Sequence, residues 1–214
     1  MNPSIIPSAS KIDQALLDVR KAYRLLHDYQ RIVLDAVNYI GKQFGLSYRG
    51  GIPYFSNVSP REEKGKLDNC AWDWLNMVFY EFYFRPEGED DKTSLRFSVI
   101  LISDSGWFCA EDEYLVKSNV AHYLAPELSS TKVGFIVSGP QNVAFSFTES
   151  KEAMKTFIVN SGELPAEYAA KGIYGKCFDM GRLASEEETN RLLDELVLFA
   201  QANGIQLKRV AAKA

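Results

Sequence analysis

The sequence predicts an α+β fold, in which a mostly antiparallel sheet of about four to five strands carries a long N-terminal helix and an amphipathic C-terminal helix packed on it. Three observations lead to this prediction: an uninterrupted apolar repeat of helical period near the start, short apolar segments joined by turn residues in the middle, and a capping box near the end. Because strand segments follow one another without long helices between them, hairpins are favoured over βαβ units. The 214 residues are expected to form a single domain, 1–214.

The first element is a long helix over residues 11–44, after an N-terminal tail of residues 1–10. Ser10 is placed as an N-cap, and Gly41 supplies a stop signal. Apolar residues recur at intervals that alternate between four and three, and only Gln30 interrupts them. We call these positions the heptad stripe: Ile12, Leu16, Val19, Tyr23, Leu26, Gln30, Val33, Val37, Ile40 and Phe44.

The length of this helix leaves two arrangements open. Thirty residues span roughly 45 Å, which is about as long as a compact domain of this size is wide. A second apolar stripe lies beside the first and widens the apolar face: Ala15, Ala22, Leu25, Tyr29, Ile32, Ala36 and Tyr39. The wide face favours packing on the protein's own sheet over dimerisation through the helix.

The next segments predict a loop followed by hairpins. Residues 45–68 carry Gly-Gly, two prolines and a charged cluster, which predict a connecting loop. Residues 69–184 are predicted to form a sheet region with short helices. Within it, the segments 78–84 and 94–103 predict an antiparallel hairpin. A second hairpin is predicted between 132–139 and 142–148.

The last part of the chain predicts helices. The segment 111–128 is ambiguous and allows a short helix, and 150–162 predicts another. The final helix, over 185–203, begins at a capping box from Ser185 to Glu188 and continues with a leucine-rich face.

The aromatic segment 78–84 contains one acid, Glu81. Strand alternation places Glu81 with Phe79 and Tyr83 on the face opposite Phe82, and we expect that face to be partly solvated. Asp73 is eight residues away from Glu81. The two acids would be about 26 Å apart in a strand and about 12 Å apart in a helix. An acid–base pair needs roughly 5 to 9.5 Å, so these two acids do not form one.

Composition narrows the class of function. With 46% hydrophobic residues and a net charge of -4, the chain has the composition of an ordinary globular protein, and no apolar run predicts a membrane span. The start lacks a signal-peptide pattern, so a cytoplasmic location is expected. The three cysteines include no C-x-x-C pair, and neither phosphate-binding loops nor catalytic motifs occur. We expect no metal and no other cofactor, and an enzyme is the less favoured class.

Basic residues border the heptad stripe and supply the candidate binding site. Arg20, Arg24, His27 and Arg31 form one line on the helix, and Arg49 precedes two glycines in the predicted loop. Such a line can meet phosphates or an acidic protein surface, although the arginines could instead pair with acids four residues further on. Because the whole chain is acidic, a protein partner is favoured over nucleic acid.

These patterns predict an intracellular, non-enzymatic binding or interaction protein, with a homo-oligomer through the first helix as one form of interaction. The alternative is a metal-dependent nuclease or phosphodiesterase that uses acids at strand ends, namely Asp104 and Glu149, with Lys151 neutralising phosphate charge. This Glu-x-Lys pattern is common by chance, and the order of its elements is not the usual one for nucleases.

Overall fold

The computed structural model describes residues 9–54, 78–87, 95–109, 120–139 and 151–210. It confirms the α+β class, with a long N-terminal helix, a five-stranded antiparallel sheet and a C-terminal helix. The chain divides into two compact units, Met1–Asn38 and Tyr39–Ala214, and the division falls inside the first helix. The prediction of a single domain stays a prediction.

The helices and strands follow in this order: α1 Ala9–Gln43, β1 Leu46–Pro53, β2 Phe79–Pro86, β3 Arg96–Ile102, β4 Lys132–Ser138, α2 Lys151–Lys155, α3 Ala166–Ala169, β5 Ile173–Asp179 and α4 Glu186–Ala202. A π-helical turn, Thr156–Asn160, continues α2. Four short 3-10 turns lie at Ser105–Cys109, Val120–His122, Pro126–Leu128 and Met180–Leu183. In the described part of the chain, no helix combines the length and the apolar character needed to cross a membrane.

The sheet has the order β1-β2-β3-β4-β5, and every neighbouring pair is antiparallel. Each strand therefore pairs with the one before it along the described chain. In β3 and β4 nearly every side chain is buried, whichever way it points. The centre of the sheet is covered on both faces, which explains why these strands have apolar runs in place of alternating patterns.

One face of the sheet packs on the π-helical turn and on α2. Phe157, Met154 and Ile158 join Ile100 and Ile136 in one buried cluster. Two glycines of the sheet allow the Phe157 ring to lie close, because an added Cβ would lie 2.9 Å from that ring at Gly134 and 3.0 Å at Gly175.

The other face packs on α4, on the last turn of α1 and on Phe44, which follows α1. The Phe44 and Phe97 ring centroids are 5.2 Å apart, and the Lys176 ammonium group lies 5.3 Å from the Phe199 ring centroid. Tyr39 Oη donates a hydrogen bond of 3.0 Å to Asn190 of α4.

Two predictions about the sheet are wrong. Residues 46–53 form the edge strand β1 and not a loop; Gly50, at φ 124°, accommodates a bulge there, so a turn-like composition is compatible with pairing on one side. The predicted hairpin between β4 and residues 142–148 is also wrong. Both edges of β4 are already paired, one with β3 and the other with β5. Residues 55–68 and 142–148 lie outside the described residues.

Ser10, predicted as the N-cap of the first helix, lies inside α1, which begins at Ala9. The predictions for the later helices are confirmed. The segment 151–160 is helical, and the ambiguous segment contains two 3-10 turns, Val120–His122 and Pro126–Leu128. Ser185 caps α4, since its Oγ accepts a 3.2 Å hydrogen bond from the backbone N–H of Glu188.

Candidate interaction surface

The N-terminal part of α1 exposes its apolar side chains. Every residue from 11 to 28 is exposed, including five members of the heptad stripe whose exposed fractions lie between 38% and 51%. We call these five the α1 seam: Ile12, Leu16, Val19, Tyr23 and Leu26. The prediction that a wide face of this helix is buried is wrong here, because Leu25 is 72% and Ile32 62% exposed.

The α1 seam has the properties of a docking site. From Ile12 to Leu26 it extends about 21 Å along the helix at 1.5 Å per residue. Contiguous exposed apolar surface of this kind marks protein–protein contacts, and helices gain most of their stability in water from packing an amphipathic face. The same heptad stripe is buried at Val33, Val37 and Ile40. The same stripe is therefore buried towards one end of the helix and exposed towards the other.

The predicted basic residues lie beside the α1 seam. Arg20, Arg24, His27 and Arg31 are all exposed, as is Arg49 on β1. His27 Nδ1 lies 3.3 Å from Asp28 Oδ1. Within the described residues the predicted ion pairs of Arg24 with Asp28 and of Arg31 with Asp35 do not form, so these guanidinium groups face solvent and supply a basic border.

Glu81 has a buried environment that the sequence did not predict. Its exposed fraction is 2%, so the prediction of a solvated side is wrong. Tyr54 Oη donates a hydrogen bond to Glu81 Oε2, Tyr83 Oη lies 3.4 Å from the same oxygen, and Ser98 supplies a third hydroxyl. Burial raises the pKa of Glu81, and the three hydroxyl groups partly oppose that rise.

The cause of this burial is the cover over β2. Tyr54, just beyond β1, stacks on Phe79 with ring centroids 4.5 Å apart and so shields the face that holds Glu81. One sequence signal could have indicated it: segment 78–84 is aromatic on both of its alternating faces, as expected for a strand covered on both sides.

A cavity of about 210 Å³ lies beside Glu81. Arg85, Arg96, Ser98 and Ser138 are among its lining residues. Guanidinium and hydroxyl groups are donors of the kind that hold carboxylates and phosphates. Among the described residues, no group of three or more His, Cys, Asp or Glu side chains is placed to hold a metal ion.

The residues of the nuclease alternative are only partly described. Asp104 follows β3, and its Oδ1 accepts a 2.8 Å hydrogen bond from the backbone N–H of Gly106, as in a turn. Glu149 and the side chain of Lys151 lie outside the described residues. The arrangement predicted for these three residues stays a prediction.

Comparisons with known proteins place the chain in a family without an assigned activity. An uncharacterised protein of Pasteurella multocida (strain Pm70), PM0109, is 28% identical over 109 residues, an alignment that covers 45% of this chain and 53% of that protein. The chain thus spans about half the length of the curated relative it matches. No solved structure matches. The family model named PM0109 matches residues 9–206, and the chain therefore belongs to the PM0109 family.

Proposed function

We propose that this protein is an intracellular, non-enzymatic binding protein that recognises a protein partner through the α1 seam. The observation that carries the proposal is the line of five exposed apolar side chains at heptad spacing. That spacing suits a partner that presents an amphipathic helix, whose side chains insert between those of the seam as knobs into holes.

The border of the seam supports a protein partner. Arg20 and His27 flank the apolar line directly, while Arg24 and Arg31 lie one position further out. Exposed charges at the rim of an interface act mainly on association rate and on partner choice. The apolar seam supplies the affinity in this proposal, and the basic residues orient the partner.

The cysteine chemistry supports an intracellular location. Cys177 is a free, partly buried thiol, and desolvation raises its pKa to about 12. A thiol packed against apolar neighbours behaves as a small apolar side chain, and free thiols are typical of reducing compartments.

Photo-crosslinking in the cell of origin tests the proposal. A benzophenone amino acid replaces Tyr23 in the seam, and in a matched variant it replaces Lys21, which is exposed on the same helix but two positions away from the seam. We expect a defined protein adduct, identified by mass spectrometry, from position 23 and none from position 21. Equal adducts from both positions, or none from either, would contradict a seam-specific partner.

The basic border has its own test in the same assay. Charge reversal by Arg20→Glu together with Arg24→Glu and Arg31→Glu is expected to lower the adduct yield from position 23, because the border no longer attracts the partner. An unchanged yield would remove the basic residues from the proposal and leave the apolar seam.

A further inference from the structure

We propose that the cavity beside Glu81 binds a small organic molecule through a carboxylate or phosphate group. Arg96 and Ser138 hold that group in this proposal, and Arg85 lies beside them. The cavity belongs to the unit Tyr39–Ala214, which contains the sheet. The inference therefore does not depend on the α1 seam or on a protein partner.

The pairing of the central strands brings the donors of this cavity to one face of the sheet. Arg96 of β3 is paired directly with Ser138 of β4. Phe84 of β2 pairs with Phe97 of β3, so Arg85 and Arg96 lie across from each other at the next position. Because side chains alternate along a strand, Arg85, Arg96 and Ser138 point to the same face. All three line the cavity.

Two of these donors have no partner in the part of the chain that the structure describes. Ser138 is 5% exposed, yet its hydroxyl group makes no hydrogen bond with any described residue. The guanidinium group of Arg96 is partly buried and makes neither a hydrogen bond nor an ion pair there. Buried polar groups of proteins are nearly always hydrogen-bonded. These two side chains are therefore available to a polar group that enters the cavity.

The charges around the cavity favour an anion. Arg85 and Arg96 lie directly opposite each other, and like charges in that arrangement destabilise a sheet. The acid that lines the cavity, Glu81, is four residues from Arg85 along β2, about 13 Å between Cα atoms. Its carboxyl group accepts a hydrogen bond from Tyr54. A carboxylate or phosphate beside the two guanidinium groups would offset their repulsion and accept charge-assisted hydrogen bonds from them.

The volume and the lining of the cavity restrict the ligand to a small molecule. The cavity holds about 210 Å³, which is less than the roughly 300–1,000 Å³ of pockets for drug-sized ligands. Phe97 and Ile136 also line it, so a short apolar part of the ligand can lie beside the charged group. A short-chain organic acid or a small phosphate ester has this combination of size, charge and apolar surface.

Thermal unfolding of the full-length protein with small anions tests the proposal. The probes are acetate, butyrate, inorganic phosphate and methyl phosphate, each compared with sodium chloride at the same ionic strength. We expect at least one of them, at up to about 50 mM, to raise the melting temperature by mass action. Stabilisation by the carboxylates alone would identify an organic acid as the ligand class, and stabilisation by the phosphates alone would identify a phosphate ester.

Three variants show whether the anion binds in the cavity, which matters because phosphate also stabilises proteins non-specifically. Arg96→Met keeps a long side chain without the charge, and it is expected to raise the dissociation constant of the stabilising anion at least about 10-fold. Ser138→Ala removes one hydroxyl group and is expected to raise it about 2- to 10-fold. Arg191 is the matched control: it is exposed on α4 and pairs with Glu187, so Arg191→Met should leave the constant unchanged.

Two results would overturn the proposal. One is a native protein that none of the four anions stabilises more than sodium chloride does. The other is an equal shift in the native, Arg96→Met and Ser138→Ala proteins, which would place the anion outside the cavity. Circular dichroism verifies the fold of each variant, and Ser138→Ala, which removes a single oxygen atom, decides the question if Arg96→Met does not fold.

Discussion

Replacing Glu81 by glutamine tests the physical reading of the buried acid. In the folded protein burial raises the pKa of Glu81, so the folded state binds its proton more tightly than the unfolded state does. Stability therefore falls as pH rises from the ordinary glutamate pKa, about 4.3, through the raised folded value. A glutamine side chain carries no charge at any pH, so the Glu81→Gln variant lacks this loss.

The magnitude follows from the surroundings of the carboxyl group. Each unit by which the folded pKa exceeds the unfolded one removes about 1.4 kcal/mol of stability at high pH. The Glu81→Gln substitution weakens the hydrogen bond that Tyr54 donates, and this costs the variant about 0.5–1.5 kcal/mol of stability at every pH. The variant is thus expected to be slightly less stable than the native protein near pH 4.5 and to gain on it as pH rises, until the pH passes the raised folded pKa of Glu81.

Urea unfolding at several values between about pH 4.5 and pH 8 measures this difference. An exposed glutamate, Glu167, provides the control, and Glu167→Gln is expected to give a difference without this trend. The reasoning would be refuted if the difference in unfolding free energy between the native and Glu81→Gln proteins stayed constant across the range. It would also be refuted if the native protein gained stability relative to the variant as pH rises.

Two further predictions concern the edge strand and the last helix. Gly51→Ala is expected to cost about 1–3 kcal/mol in urea unfolding, because its Cβ would clash with a β2 carbonyl oxygen and with the Tyr80 ring; a stable variant would show that β1 is not held as described. Ser185→Ala is expected to cost about 1 kcal/mol, since the N–H of Glu188 loses its acceptor; no change would exclude the cap.

The class of the fold could be read from the sequence, but two of its strands could not. β1 was not predicted because a Gly-Gly pair, Gly50 and Gly51, is typical of loops. An edge strand tolerates these glycines at a bulge. β5 was not predicted because Gly175 and Lys176 interrupt the apolar pattern of its sequence. In the structure Gly175 makes room for Leu164 and Phe157, and the Lys176 ammonium group lies 3.5 Å from Glu163 Oε1. Both strands depend on partners distant in sequence, which local patterns do not reveal.

Local sequence patterns were also insufficient to predict which side chains of the candidate site are buried. The heptad spacing from Ile12 to Leu26 was visible in the sequence, but whether a stripe is covered depends on how far the core extends. Glu81 was placed on the correct strand face, yet the cover supplied by Tyr54 comes from another strand's end. Periodicity therefore gave the direction of these side chains, and only tertiary packing gave their burial.

Amide hydrogen exchange of α1 in the full-length protein tests the central claim most directly. If the α1 seam binds a protein partner, the amides from Leu16 to Leu26 are more protected in the complex with that partner than in the protein alone, and Leu26→Glu removes the added protection, because a helix without packing contacts opens readily in water. Leu25→Glu should retain the protection. Equally fast exchange of this segment with and without the bound partner would contradict an interface at the α1 seam.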